Sequence, residues 1–443
     1  MQNLASVFVS QGFEAFIVLP QHVHKKINTN NDHDNHNNKI IKWVGLEDGI
    51  EENTTTTAPD FFAIESSMEN IMPNNLEEFL QNSQRLDEVC LMVVDLLASW
   101  AIQVANKFGI STAGFWPAML SSYLLIAAIP QMLRTGLISD TGLPQHEGKI
   151  TFVPSLPVVS TEDLPWLIGT IAAKKERFKF WMRTLERSRN LKWVLVNSFP
   201  NEIKVGNSYS QNVLPIGPIY KPQHQLITKN NLISFWEEDL SCLKWLKNQK
   251  VNSVVYVSFG SWVNPIGESN LKNLALALEA TMRPFIWVLR STWRQGLPIG
   301  FCERILKQGR GMVVSWAPQR EILQHNSLAC FITHCGWNST LEALQFQKKL
   351  LCYPVAGDQF LNCAYIVEVW RVGLRLNGLG QKDVLEGVAN VMEDKEMSTR
   401  LMTLYERIMG GIHSHNNNNK TGSFLLKSFV EQLKEASTIH EKH

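Results

Sequence analysis

Short, all-apolar runs alternate with stretches of helical periodicity along almost the whole chain, and that alternation admits few folds. Runs of strand length occupy Phe13–Leu19, Ile40–Val44, Val89–Val94, Ile110–Phe115 and Trp193–Asn197. A second series follows at Val254–Phe259, Phe285–Leu289, Met312–Ser315, Ala329–Thr333 and Leu350–Tyr353. Helical patterns lie between them, as at Leu97–Phe108, Pro117–Thr135 and Glu268–Ala280, where Leu271, Leu274, Ala275 and Leu278 share one face. Strands without polar alternation are buried on both faces, so the pattern predicts parallel sheets covered by helices. Two such series predict an α/β protein with two doubly wound, Rossmann-like domains. The boundary falls after Leu214–Pro222. The polar, aperiodic stretch 223–235 reads as a linker between a first domain, 1–222, and a second, 236–420, with a last segment at 421–443.

Composition removes several function classes. The 443 residues carry 42 Lys+Arg against 41 Asp+Glu, a net charge of +1. A nucleic-acid binder needs a basic surface to displace counterions, so no nucleic acid is expected as partner. The longest apolar run, Pro117 to Pro130, has 14 residues, whereas a membrane span needs about 20. The first residues lack the basic flank of a signal peptide. Seven scattered cysteines, an odd number, read as reduced thiols of a cytoplasmic protein. The sequons at Asn53 and Asn419 are set aside on the same ground, and the Asn-rich tracts near Asn28–Asn38, Asn53–Thr57 and His415–Asn419 read as loops.

The first element departs from the pattern. Leu4, Val7 and Phe8 with Gly12 behind them read as a helix and its stop signal. A doubly wound domain begins with a strand, and that strand is central in the common order. The expectation is therefore a first domain that lacks its middle strand, whose neighbours carry unpaired backbone edges.

The stretch Trp316–Gln359 is the most informative. It holds a strand, a tight turn His334-Cys335-Gly336-Trp337, and a helix opening at Asn338-Ser339-Thr340. Free N–H groups and the helix dipole make such a junction an anion site. His334 at the strand tip can donate to the same anion. Asn338 and Glu342 lie four apart on one helix face, where a carboxylate can accept from both hydroxyls of a ribose. Trp316 can stack on a base. Ser339-x-x-Glu342 also fits a capping box, and Glu342 cannot serve cap and ribose fully at once. A zinc site built from Cys330, His334 and Cys335 is not supported, since no paired C-x-x-C is present and adjacent residues on an extended chain point opposite ways.

This stretch resembles the signature box of plant UDP-dependent glycosyltransferases: 44 residues, a WAPQ start, an HCGWNS centre and a DQ end. The resemblance extends over nearly the whole chain, through CLKWLKNQ before VVYVSFGS and VVDLLASWAIQVA earlier. It implies the GT-B fold, with the acceptor in the first domain and the sugar nucleotide in the second. Trp316 would stack on uracil, the Ala317 backbone would bond its edge, and Glu342 would hold the ribose. His334, Asn338, Ser339 and Ser261 would bind the diphosphate. Trp337, Asp358 and Gln359 would meet the sugar, Gln359 favouring glucose. Gln319 belongs to the same donor-binding set. The segment Gln345–Leu350 lacks the family's small Gly- and Pro-containing turn. The final helix, around Phe424–Glu435, would pack back on the first domain.

The implied reaction is an inverting transfer from a UDP-sugar, such as UDP-glucose, to a hydroxyl of a small, lipophilic acceptor. The UDP-sugar is a co-substrate, and no cofactor or metal is implied. Asp95 matches the Asp that orients the family's general-base His; it is also a candidate N-cap for the helix after it. The His itself lies in a Gly-His turn after the family's first strand, a region this chain does not show, and His22 and His24 do not match it by motif. The expectation is an enzyme family member lacking its N-terminal strand and base. The alternative is a catalytically inactive chain that binds a UDP-sugar. A Rossmann oxidoreductase is disfavoured, since no G-x-G-x-x-G follows an early strand. Trp116, Met119 and Trp166 are candidates for the acceptor pocket and equally for the core.

Overall fold

A computed structural model describes residues 1–28, 41–50, 61–150, 156–157, 159–200, 202, 212–219, 236–260, 266–409 and 421–440. The expected linker 223–235, most of the Asn-rich tracts, Asn53, Asn419 and Ser261 lie outside the described residues. The chain divides into two compact units, one of Met1–Ala127, Lys179–Phe235 and Asn416–His443, the other of Ala128–Phe178 and Trp236–His415. The segment 128–178, assigned to the first domain by the sequence reading, thus groups with the second unit. The expected helix Pro117–Thr135 is broken at that point, into Leu120–Ala127 and Ile129–Arg134. Pro130 sits in the first turn of the second piece, where its missing N–H does no harm but cannot continue a preceding helix.

In the first unit the opening helix Gln2–Ser10 stops at Gly12, whose φ is +94°. Strands β1 (Ala15–Pro20) and β2 (Ile41–Leu46) form one parallel pair. A separate parallel sheet holds β3 (Met92–Asp95), β4 (Thr112–Trp116), β5 (Trp193–Val196) and β6 (Val213–Pro215), in that order. β1 and β3 each end a sheet, and β1 leaves Phe16 and Val18 exposed. The C-terminal helix Gly422–His440 buries Leu426, Phe429, Val430 and Leu433 against Leu4, Ala113, Phe115, Leu195 and Ile216. Glu202 is buried at the start of helix Leu120–Ala127. It accepts from the N–H groups of Leu120 (3.0 Å) and Ser121 (2.8 Å) and from the hydroxyls of Ser121 and Ser198. Burial pushes its pKa up against those bonds.

The second unit is built on a six-stranded sheet of β7 (Val254–Ser258), β8 (Phe285–Val288), β9 (Gly311–Val314), β10 (Leu328–Thr333), β11 (Lys349–Cys352) and β12 (Gly373–Arg375). Every pairing is parallel and the spatial order is β9-β8-β7-β10-β11-β12. That is the order 3-2-1-4-5-6, which opens a ligand crevice beyond the carboxyl ends of the two central strands. Helix Glu268–Ala280 has the bounds its periodicity predicts, and Leu271, Leu274, Ala275 and Leu278 are all buried on it. They pack with Val255, Val257, Trp287, Ile332 and Leu351 of the sheet. Among the described residues, no helix is long and apolar enough to cross a membrane.

Candidate functional site

The two central strands end side by side, Ser258 of β7 opposite Thr333 of β10. From Thr333 the chain makes the turn His334-Cys335-Gly336, with Cys335 at φ +67°, a conformation costly for any residue with a Cβ. Helix Trp337–Gln345 then begins with Gly336 as its N-cap and no side-chain cap. The positive dipole end of this helix favours an anion there.

The capping box does not form. Ser339 is inside the helix rather than before it, and its Oγ accepts from Gln319 Nε2 at 3.1 Å. The same Nε2 donates to Glu342 Oε2 at 2.8 Å, and Gln319 Oε1 accepts from the Tyr256 hydroxyl at 3.2 Å. Glu342 is thereby held by an amide from the neighbouring helix Gln319–Gln324 instead of folding back on its own helix end. Tyr256 is the residue here that the sequence reading missed. Its signal is a single polar head in the otherwise apolar run VVYV.

His334 is buried beside Gly260 and Gly336. A Cβ at Gly260 would stand 2.7 Å from His334 Nε2, and one at Gly336 would be closer still. Burial drives the His334 pKa down to about 4, against a small upward pull from the Ser258 backbone. The imidazole is thus neutral near pH 7, and its Nδ1 has no well-formed hydrogen-bond partner among the described residues. It can act on an anion as a hydrogen-bond donor, not as a fixed charge.

Trp316 is half-buried, and its ring lies 6.3 Å from that of Trp236 at 46°. The Arg290 guanidinium sits over Trp236 at 4.5 Å, a cation–π stack that no sequence motif announced. Ala317 is buried and Asn338 exposed. Trp337 turns inward, only 4% exposed, with its ring 6.4 Å from that of Trp370. Asp358 accepts from Asn362 Nδ2 at 3.0 Å, and burial pushes its pKa up. Gln359 Oε1 accepts from the N–H groups of Val355 (2.9 Å) and Ala356 (3.0 Å), which leaves its Nε2 end to donate. In the atypical stretch 345–350 the tight turn is made by Gln347 at φ +52° in place of a glycine. Ser261 lies outside the described residues.

In the first unit, Asp95 Oδ1 accepts from Leu97 N at 3.0 Å, so Asp95 caps the short 3₁₀ turn Leu96–Ala98, while the α-helix Trp100–Lys107 beyond it starts from Ser99 with no side-chain cap. Burial pushes its pKa up, and among the described residues no imidazole is hydrogen-bonded to it. His22 is committed elsewhere: its Nδ1 and backbone N meet Asp48 Oδ2 at 2.7 and 2.9 Å. Trp116 and Met119 of the first unit and Trp166 of the second are core residues. They are almost fully buried, and both indole N–H groups are spent on backbone carbonyls, of Met119 and Gly142.

A family model described as UDP-glucoronosyl and UDP-glucosyl transferase matches residues 1–409. UDP-glycosyltransferase 82A1 of Arabidopsis thaliana is 49% identical over 431 residues, 93% of this chain and 91% of that protein. UDP-glycosyltransferase 83A1 of the same plant is 31% identical over 425 residues, 93% and 89% of the two chains. The crystal structure of a UDP-glucose:anthocyanidin 3-O-glucosyltransferase in complex with UDP is similar at TM-score 0.77 and 21% identity, covering 98% of this chain and 95% of that one. Os79 from O. sativa in complex with UDP matches at TM-score 0.77 and 21% identity, covering 98% and 96%. The fold is GT-B, and this chain belongs to the family of UDP-glucoronosyl and UDP-glucosyl transferases.

Proposed function

We propose that the crevice beyond β7 and β10 binds a UDP-sugar, glucose foremost, whose sugar passes with inversion to a hydroxyl of a small lipophilic acceptor. The carrying observation is the uncapped helix start at Trp337 with neutral His334 beside it and Glu342 one turn in, held by Gln319. The diphosphate sits on the helix N–H groups with His334, Asn338 and Ser339. Glu342 takes the ribose hydroxyls, and Trp316 with the Ala317 backbone takes the uracil. Asp358 and the Nε2 of Gln359 face the sugar, and Trp337 contributes through its backbone at the helix start. The acceptor oxygen bonds to the anomeric carbon as the carbon–phosphate oxygen bond breaks. UDP leaves with the electron pair, stabilised by the helix dipole and His334. The acceptor proton passes to a general base; Asp95 would orient an imidazole in that role, which no described residue fills. The domain split at 223–235 keeps donor-site residues within one unit. Seven unpaired cysteines fit the reducing cytoplasm. No finding favours the catalytically inactive alternative.

The test is calorimetric titration of UDP into the chain, followed by UDP release from UDP-glucose against a panel of hydroxylated acceptors. Saturable UDP binding that Glu342→Ala weakens at least tenfold is expected. Absence of UDP binding by the folded chain would overturn the reading.

A further inference from the structure

Behind the turn that holds His334, three thiols from three different elements converge. Cys335 lies in the turn after β10, Cys352 ends β11, and Cys363 lies in helix Gln359–Ala364. Their Sγ atoms all lie within 4.8 Å of one another, and each residue is at most 1% exposed. Several features enforce the meeting. β10 and β11 are in parallel register with Thr333 beside Cys352. The left-handed backbone of Cys335 turns its side chain back toward the Thr333 carbonyl, 3.8 Å from Sγ. Asn362 Nδ2 donates to the Cys335 carbonyl at 2.9 Å, tying the helix to the turn. Core cysteines that only fill space behave as small hydrophobes and have no need to point their sulfurs at one another.

The three thiols hydrogen-bond among themselves. Among the described residues no further His, Cys, Asp or Glu joins the group. Soft thiolates select Cu(I), zinc and iron–sulfur clusters, and structural zinc is almost always four-coordinate, which three thiols do not fill. Metal–thiolate bonds of about 2.3 Å in a trigonal plane place the sulfurs about 4 Å apart, inside the span found here.

We propose that Cys335, Cys352 and Cys363 form a three-thiolate site for a soft monovalent ion of the Cu(I) class. Binding releases the three thiol protons and replaces the S–H···S contacts by three metal–sulfur bonds, with no change of oxidation state. Because Cys335 stands between His334 and Gly336, the ion fastens that turn to β11 and to helix Gln359–Ala364.

The experiment titrates Cu(I), as its acetonitrile complex under anaerobic conditions, into the full chain against a chromogenic Cu(I) chelator. A Cys90→Ser background removes the exposed thiol. One equivalent should bind, raise the melting temperature and give an X-ray absorption spectrum with three sulfur neighbours. Cys352→Ser and Cys363→Ser should each weaken binding at least 100-fold, while Cys302→Ser leaves it unchanged. Binding that survives both substitutions, or a wild-type spectrum with other than three sulfurs, would overturn the assignment. The spectrum is read on the unsubstituted cluster, so the proposal stays open to refutation even if a variant fails to fold.

Discussion

Gln319 Nε2 lies 2.8 Å from Glu342 Oε2, so an amide on one short helix sets the carboxylate of the next. The amide is itself fixed by the Tyr256 hydroxyl from β7. Hydrogen bonds to a charged acceptor contribute about 1.5–3 kcal/mol. Gln319→Leu is therefore expected to weaken UDP binding about tenfold, which corresponds to about 1.4 kcal/mol. Tyr256→Phe should have a smaller effect in the same direction. Calorimetry with UDP on the two variants checks the order; equal affinities in all three proteins would remove Gln319 from the site.

Gly260 combines a φ of +79° with a Cβ position 2.7 Å from His334 Nε2. Gly260→Ala must strain the backbone and displace the imidazole together. A stability loss of about 1–3 kcal/mol is expected, with UDP affinity falling further than stability does. Urea unfolding alongside UDP titration separates the two effects.

His334 gives a pH signature. Its pKa is about 4 in the folded chain against 6.5 for the free side chain. The unfolded chain binds more protons between those values, so stability is fully present above pH 6.5 and is lost as the pH falls toward 4. The loss amounts to about 3 kcal/mol at most. Buried carboxylates with raised pKa, such as Glu202 and Asp358, act in the opposite sense. The informative quantity is the difference between wild type and His334→Asn. The variant should lose less stability from pH 7 to pH 5, measured by denaturant melts at each pH; identical pH slopes would refute the buried neutral imidazole.

Phe429 is 2% exposed and closes the first unit's core from the C-terminal helix. Phe429→Ala should cost about 3–5 kcal/mol. Phe424→Ala, on the exposed side of the same helix, should cost under about 0.5 kcal/mol. Paired urea melts decide it.

Much of this was legible beforehand, and the misses have physical causes. Helix Glu268–Ala280 and the central strands carry strong periodicity. β6 and β12 are three residues each, too short to show any. The grouping of 128–178 with the second unit leaves no mark in composition; only Pro130 hints at a break. In the site, the strand–turn–helix junction was readable because it is local. The choice between a capping box and Gln319 was not, because the deciding hydrogen bond spans 23 positions. The zinc question was posed with Cys330 and His334 as partners of Cys335. The sulfurs that do meet it come from 352 and 363, brought there by sheet register and helix docking rather than by spacing.

The seating of residues 422–440 on Ala113, Phe115, Leu195 and Ile216 has a consequence for biosynthesis. A ribosome delivers those four side chains more than two hundred residues before the helix that covers them. Throughout that interval the nascent first unit presents a bare apolar face. It can close only once residues 422–440 have been made and have left the ribosome, so the earliest-made half of the chain is completed late.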